Sequence, residues 1–150
     1  MVVGLTSSTL TSSPSPSFGF VLNTNRYKLA FCGDEPYNEA CSRHVKGSNI
    51  LLLEAFCLYE HKDIYKPYEK HHSTALDAGR LAQELNVEHL ILWHSEDDYL
   101  EHKKELYTKE ANSRSKKIVI KYNGNENILP DSITRILNKE TKQVYQEVKM

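Results

Sequence analysis

Three ionisable side chains each stand at the end of a short apolar run. Asp34 closes the run Phe31-Cys32-Gly33-Asp34, Glu54 follows the run at 49–53, and His94 follows the run at 89–93. If these runs are parallel strands of one sheet, their last residues meet at its carboxyl edge, where α/β folds place active sites. Carboxylates and imidazoles act as metal ligands and as general acids or bases. One such residue alone would be only the first solvated position after a strand, but three together predict a shared site.

His72 is a fourth candidate, placed at the start of a predicted helix. Thr74 and Asp77 have the spacing of a capping box, and Ser73 or Thr74 is the natural N-cap. The positive end of the helix dipole favours a neutral imidazole at His72, a state suited to moving a proton or to lying beside a phosphate. The alternative is that His71 and His72 are a pair of exposed loop residues.

Strand and helix patterns alternate along the rest of the chain. The segment 1–17 contains a Ser/Thr-rich loop or a strand leading into the sheet, and strand patterns follow at 18–22, 26–32, 49–53, 89–93 and 116–122. The clearest helix is predicted over 73–86, and Ser95-x-x-Asp98 resembles a second capping box that opens a polar helix to about residue 111. This order predicts an α/β fold in which each helix covers the sheet beside it.

The composition is that of an ordinary soluble protein. The chain has 150 residues with 19 basic and 20 acidic side chains, so no global positive field attracts nucleic acid. A basic cluster at Arg114, Lys116, Lys117 and Lys121 is a local alternative for nucleic-acid binding, or a solvated surface. The cysteines Cys32, Cys41 and Cys57 show no C-x-x-C spacing, which excludes a disulfide framework and favours a reducing, cytoplasmic location. No apolar run is long enough for a membrane span, so no membrane partner is expected.

Five short motifs stand in an order that resembles a known family. They are Ser-Phe-Gly-Phe at 17–20, Phe-Cys-Gly-Asp at 31–34, Leu-Leu-Glu-Ala-Phe at 52–56, His-His-Ser-Thr at 71–74 and Leu-Trp-His at 92–94. This order resembles the second half of metallo-β-lactamase-fold hydrolases of the ribonuclease Z branch. The resemblance implies that 18–150 form the C-terminal half of an αββα sandwich, a mixed sheet with helices on one face. A lone half would leave its other sheet face uncovered.

The resemblance also implies a metal site. The Asp of the family's Gly-Asp motif bridges two metal ions, normally zinc, and this role would fall on Asp34. The His that closes the last strand ligates one metal, and this role would fall on His94. The family's His-x-His-x-Asp-His motif is absent from this chain. A catalytic zinc site needs about three protein ligands, so two candidates predict weak metal binding by the chain alone.

The resemblance assigns the remaining motif residues to catalysis and substrate binding. Glu54 and His72 would act together as the general acid that protonates the leaving oxygen. Ser73 and Thr74 would help bind phosphate at the helix terminus.

Two functions follow as competing hypotheses. The first is a metal-dependent phosphodiester hydrolase, incomplete without an N-terminal half, acting on RNA or a small phosphodiester. The second is a catalytically inactive remnant of the fold that serves as a binding or interaction module. Either function predicts a partner, which would be an N-terminal half chain or a second copy in a homodimer.

Overall fold

A single six-stranded sheet, in which the strands follow one another in chain order, forms the centre of the fold. The computed structural model describes residues 2–6, 18–97, 100–113 and 119–122. The strands are β1 (Val2–Thr6), β2 (Phe18–Asn23), β3 (Lys28–Phe31), β4 (Ile50–Glu54), β5 (His89–Trp93) and β6 (Val119–Tyr122). β1, β2 and β3 pair antiparallel, whereas β3, β4, β5 and β6 pair parallel. The predicted mixed α/β sheet is therefore confirmed.

Within the described residues, four helices and three 3₁₀ turns connect the strands. The helices are α1 (Ser42–Val45), α2 (Lys62–Tyr65), α3 (Ala75–Glu84) and α4 (Lys103–Asn112), and the turns are Glu39–Cys41, Tyr59–His61 and Tyr68–Lys70. The capping box predicted for α3 is present: the Thr74 hydroxyl accepts from the Asp77 amide, and the Asp77 carboxylate accepts from the Thr74 amide. No helix in the described part of the chain is both long enough and apolar enough to cross a membrane.

The helix after β5, α4, begins later than the sequence predicts. It starts at Lys103 rather than beside Ser95, and Asp98 lies outside the described residues. The N-cap of α4 is His102, and the segment after β5 is instead held by contacts with distant residues: the Glu96 amide donates to the Phe56 carbonyl, and Asp97 accepts from the Tyr107 hydroxyl. The interpretation of Ser95 as the N-cap of this helix was therefore wrong.

The main core lies between one face of the sheet and helices α3 and α4. The sheet contributes buried side chains such as Leu51, Leu90 and Leu92, and the helices contribute small residues and Tyr107. α3 and α4 approach closely at Gly79, where a Cβ atom would collide with the backbone of Ala111. The small residues therefore allow the helices to lie close together over the sheet.

The opposite sheet face is also apolar. Leu29, Ile50 and Ile91 form a second buried cluster there. Beside it, the ring of Phe31 lies 5.5 Å from that of Phe20 and 5.1 Å from that of Trp93. The Phe20 side chain is 41% exposed. On this face Phe20 is partly exposed, whereas Leu29, Ile50 and Ile91 are buried, so the uncovered face that the resemblance implies stays a prediction.

The remaining predictions about the chain ends fall largely outside the described residues. The Ser/Thr-rich segment 7–17 and the basic residues Arg114, Lys116 and Lys117 lie there, as does the chain after 122. Strand β6 begins at Val119 within the strand predicted over 116–122.

Candidate metal centre

The parallel strands β3, β4 and β5 bring Asp34, Glu54 and His94 to one edge of the sheet. The neighbouring registers pair Phe31 with Leu52, and Glu54 with Trp93, so the three strands end side by side. The His94 Nε2 atom lies 3.1 Å from Asp34 Oδ1. The shared edge predicted from the strand ends is therefore present in the fold.

Two backbone conformations turn the chain sharply at this edge. Gly33 has a φ of +79°, a left-handed conformation that glycine adopts without a Cβ penalty, and it precedes Asp34. His94 has a φ of +52°, which is uncommon for a residue other than glycine. Both ligand candidates are thus presented by tight turns directly after their strands.

His72 enters the site from the segment that precedes α3. Its Nδ1 atom lies 3.4 Å from Glu54 Oε2 and 3.8 Å from Asp34 Oδ1. Its ring stacks on Phe56 at 4.4 Å with an interplanar angle of 7°, and on His94 at 5.2 Å. The His72 amide donates to the Pro67 carbonyl at 2.8 Å, which fixes the backbone of this segment. His72 is therefore a half-buried part of the site and not an exposed loop residue.

The Glu54 carboxylate is buried, and its two oxygens have different surroundings. Glu54 is 1% exposed, and Oε1 accepts hydrogen bonds from the Ser73 amide at 2.6 Å and the Ser73 hydroxyl at 2.8 Å. Oε2 has no hydrogen-bond partner among the described residues and faces His72. One oxygen thus anchors the carboxylate, and the other lies against the imidazole.

The Glu54 carboxylate shifts the pKa of His72. Interaction with Glu54 raises the pKa of His72 above its usual value, the charge of Asp34 adds to the increase, and burial opposes it. The pKa of His72 thus shifts in the direction opposite to the one expected from the helix dipole, because a carboxylate within 3.4 Å outweighs the partial charge of a helix end. The protonated form is the one that a general acid requires.

Three side chains at this edge fit a divalent metal. Asp34, His72 and His94 each offer one ligand atom, and these atoms lie within 4.8 Å of one another. Imidazole nitrogens and a carboxylate oxygen are a donor set that zinc takes in proteins. The sequence resemblance implies two metal ligands, Asp34 and His94, and the structure places His72 in the same cluster. Asp34 is 47% exposed, so one side of the cluster is open to further ligands.

Ser73 and Thr74 already use their polar groups within the protein. The Ser73 amide and hydroxyl donate to Glu54, and the Thr74 hydroxyl donates to Asp77 at 2.7 Å. The amides of Ala75 and Leu76 donate to the Cys57 carbonyl and the Glu110 carboxylate. Phosphate binding at this terminus would require Ser73 to release Glu54, so the phosphate role of Ser73 and Thr74 stays a prediction.

A cleft of about 200 Å³ adjoins the site between the segment 35–37 and α3. Four of its lining residues are acidic, namely Glu35, Glu54, Asp77 and Glu84, and one, Arg80, is basic. An acidic lining repels a chain of phosphates. The acidic lining distinguishes this cleft from the side of Asp34 that is open to solvent.

Sequence reasoning gave no role to Phe56 or Asp97, although both are buried beside the site. The ring of Phe56 stacks on that of His72, and the Asp97 carboxylate lies 3.3 Å from the Lys103 ammonium of α4. Phe56 stands in the Glu-Ala-Phe motif, which was the available signal for it. Asp97 offered no signal, because its partners are distant in the chain.

Comparison with known proteins finds sequence relatives that are named Ribonuclease Z. The chain is 32% identical over 71 residues to a protein named Ribonuclease Z from Prochlorococcus marinus strain NATL1A, and 34% identical over 67 residues to one of the same name from Azobacteroides pseudotrichonymphae. These matches cover 47% and 45% of the chain but only 22% of each relative. No protein-family model matches the chain.

Solved structures agree on the fold. The metallo-β-lactamase fold protein YhfI from Bacillus subtilis superposes with a TM-score of 0.60 at 18% identity, covering 79% of this chain and 45% of that one. The short form of human tRNase Z gives a TM-score of 0.52 at 21% identity, covering 71% of this chain and 36% of that one. The chain thus has the metallo-β-lactamase fold over part of the length of its relatives, and its sequence is ribonuclease Z-like.

Proposed function

We propose that this chain is the C-terminal half of a metal-dependent phosphodiester hydrolase of the ribonuclease Z type. The observation that carries the proposal is the meeting of Asp34, Glu54, His72 and His94 at one strand edge, with a buried carboxylate against His72. The matching ribonucleases are longer than the matched region, which is consistent with a site completed by a second half.

Asp34 and His94 are the proposed metal ligands of this half. They lie 3.1 Å apart and are open to solvent on one side, so they can supply part of a coordination shell but not all of it. Divalent ions, which we propose to be zinc, would supply an activated nucleophile and positive charge at the scissile phosphate. The missing ligands would come from an N-terminal half or from a second copy of the chain.

Glu54 and His72 are the proposed general acid pair. Nδ1 of His72 faces Glu54 Oε2, which leaves Nε2 as the nitrogen that can face a substrate. The buried carboxylate favours the imidazolium, and the Phe56 stack holds the ring plane. In the reaction the proton would pass from Nε2 to the departing oxygen while Glu54 stabilises the charged ring beforehand.

The competing function is an inactive remnant that binds a partner through the same sheet edge. Unlike the hydrolase, this function does not require a bound metal. The acidic cleft and open site are compatible with both functions, whereas the buried Glu54–His72 pair favours the hydrolase.

The decisive experiment is reconstitution. The chain alone, an N-terminal half of a ribonuclease Z alone, and the mixture are assayed with zinc on bis(p-nitrophenyl) phosphate. We expect turnover only in the mixture. Turnover should be lost when the mixture contains Asp34→Ala. A mixture that forms a stable complex and binds zinc without any turnover would favour the remnant.

A further inference from the structure

A buried carboxylate, Asp97, lies three residues beyond His94 and has no part in the proposed chemistry. Asp97 is 1% exposed, and its Oδ1 atom accepts a hydrogen bond from the Tyr107 hydroxyl at 2.5 Å. The Lys103 ammonium lies 3.3 Å from the same oxygen. Lys103 and Tyr107 are one turn apart on α4, so this helix holds the carboxylate with both a charge and a hydroxyl.

The same network reaches the other loop of the site. The Tyr107 hydroxyl lies 3.4 Å from the Phe56 carbonyl oxygen, which also accepts from the Glu96 amide at 2.8 Å. The ring of Phe56 is the one that stacks on His72. A single fully buried hydroxyl therefore contacts both the loop after His94 and the residue that supports His72.

A third element faces Asp97 from the 3₁₀ turn Tyr59–His61. His61 Nδ1 lies 3.9 Å from Asp97 Oδ2, and neither atom has a hydrogen-bond partner among the described residues. Burying a carboxylate is costly unless the surrounding groups compensate for its lost hydration, and such networks can fix one geometry. The left-handed backbone of His94 is a conformation that persists only where its surroundings hold it.

We propose that Asp97 is a positioning residue that holds the His94 loop against α4. Through Tyr107 and Lys103, Asp97 keeps the His94 imidazole beside Asp34, where both side chains could bind the same metal ion. The metal part of this inference rests on the proposed function, whereas the fixing of His94 by Asp97 does not. Polar groups behind the ligands of metal sites typically change metal affinity by about 10–100-fold when removed.

Two conservative variants test the network, and a third is the matched control. Tyr107→Phe removes only the hydroxyl, and Asp97→Asn keeps the shape of the side chain but removes its charge. The control is Glu110→Gln on the same helix. Glu110 accepts hydrogen bonds from the amides of Tyr59 and Leu76 at 2.9 and 3.0 Å, and so ties α4 to other parts of the chain.

Trp93 provides the signal, because it is the only tryptophan in the chain and its ring lies 5.6 Å from that of His94. The full chain is titrated with Co²⁺, and quenching of tryptophan emission gives the affinity. We expect Tyr107→Phe and Asp97→Asn to weaken Co²⁺ binding about 10–100-fold. The control Glu110→Gln should leave the Co²⁺ affinity unchanged while lowering the melting temperature as much as the two test variants do. Unchanged affinity in the first two variants, or an equal loss in the control, would overturn the proposal.

A measurement without metal separates this inference from the proposed function. The ring signals of His94 in a ¹H–¹³C NMR spectrum should shift or broaden in Tyr107→Phe and Asp97→Asn but not in Glu110→Gln. Identical His94 signals in all four proteins would overturn the positioning role even if metal binds. Absence of Co²⁺ binding by the unmodified chain, together with the expected NMR changes, would refute the metal site and leave the positioning role standing.

Discussion

Replacing His72 by alanine separates the two roles that its position allows. His72 lies within ligand distance of Asp34 and His94, yet its Nδ1 atom faces the buried Glu54 carboxylate at 3.4 Å. As a general acid, His72 supplies a proton in the transition state, and its loss should lower turnover by about 10²–10⁴-fold. As a metal ligand, its loss would lower zinc content together with turnover.

We expect the acid role in the reconstituted complex, because the Nδ1 atom of His72 faces the buried Glu54 carboxylate, which raises the pKa of His72. Zinc content by atomic absorption and kcat on bis(p-nitrophenyl) phosphate are measured on the same samples. His72→Ala should keep its zinc and lose turnover, whereas Asp34→Ala should lose both. A His72→Ala complex that has lost its zinc would refute the assignment of His72 as the acid.

Three further predictions concern stability and association. Gly79→Ala should destabilise the chain by about 1–3 kcal/mol in denaturant unfolding, because overpacking against Ala111 outweighs the higher helix propensity of alanine; an unchanged midpoint would contradict the close contact of α3 and α4. Thr74→Ala should cost about 1 kcal/mol by removing the capping box, and Thr74→Ser, which keeps the hydroxyl, should recover most of it. The chain should self-associate in sedimentation through its second sheet face, and Phe20→Lys should weaken that association; a monomeric unmodified chain with no dye-binding apolar surface would contradict this.

The parts of the fold that the sequence predicts are those set by local patterns. Apolar runs that stop at Asp34, Glu54 and His94 fix both the strands and the edge at which they end, since parallel strands share a direction. The start of α3 was equally predictable, because its capping box lies entirely within four consecutive residues.

The features that escaped prediction depend on contacts between distant segments. Ser95 has the spacing of a cap, but the residues that follow it bind distant groups: the Glu96 amide donates to the Phe56 carbonyl, 40 positions earlier, and Asp97 accepts from the Tyr107 hydroxyl. The charge of His72 depends on Glu54, which is 18 positions earlier, and no local pattern reports that distance. Likewise, no local pattern indicates that the Ser73 hydroxyl donates to Glu54 Oε1, 19 positions earlier.

The position of bound zinc in the chain decides whether Asp34 and His94 are metal ligands. Crystals of the chain soaked in millimolar zinc give an anomalous difference map at the zinc absorption edge. We expect a peak within ligand distance of both Asp34 Oδ1 and His94 Nε2. This peak should be absent from Asp34→Ala crystals. Zinc bound only elsewhere on the chain, or a peak that survives Asp34→Ala, would contradict the assignment of this strand edge as half of a metal hydrolase site.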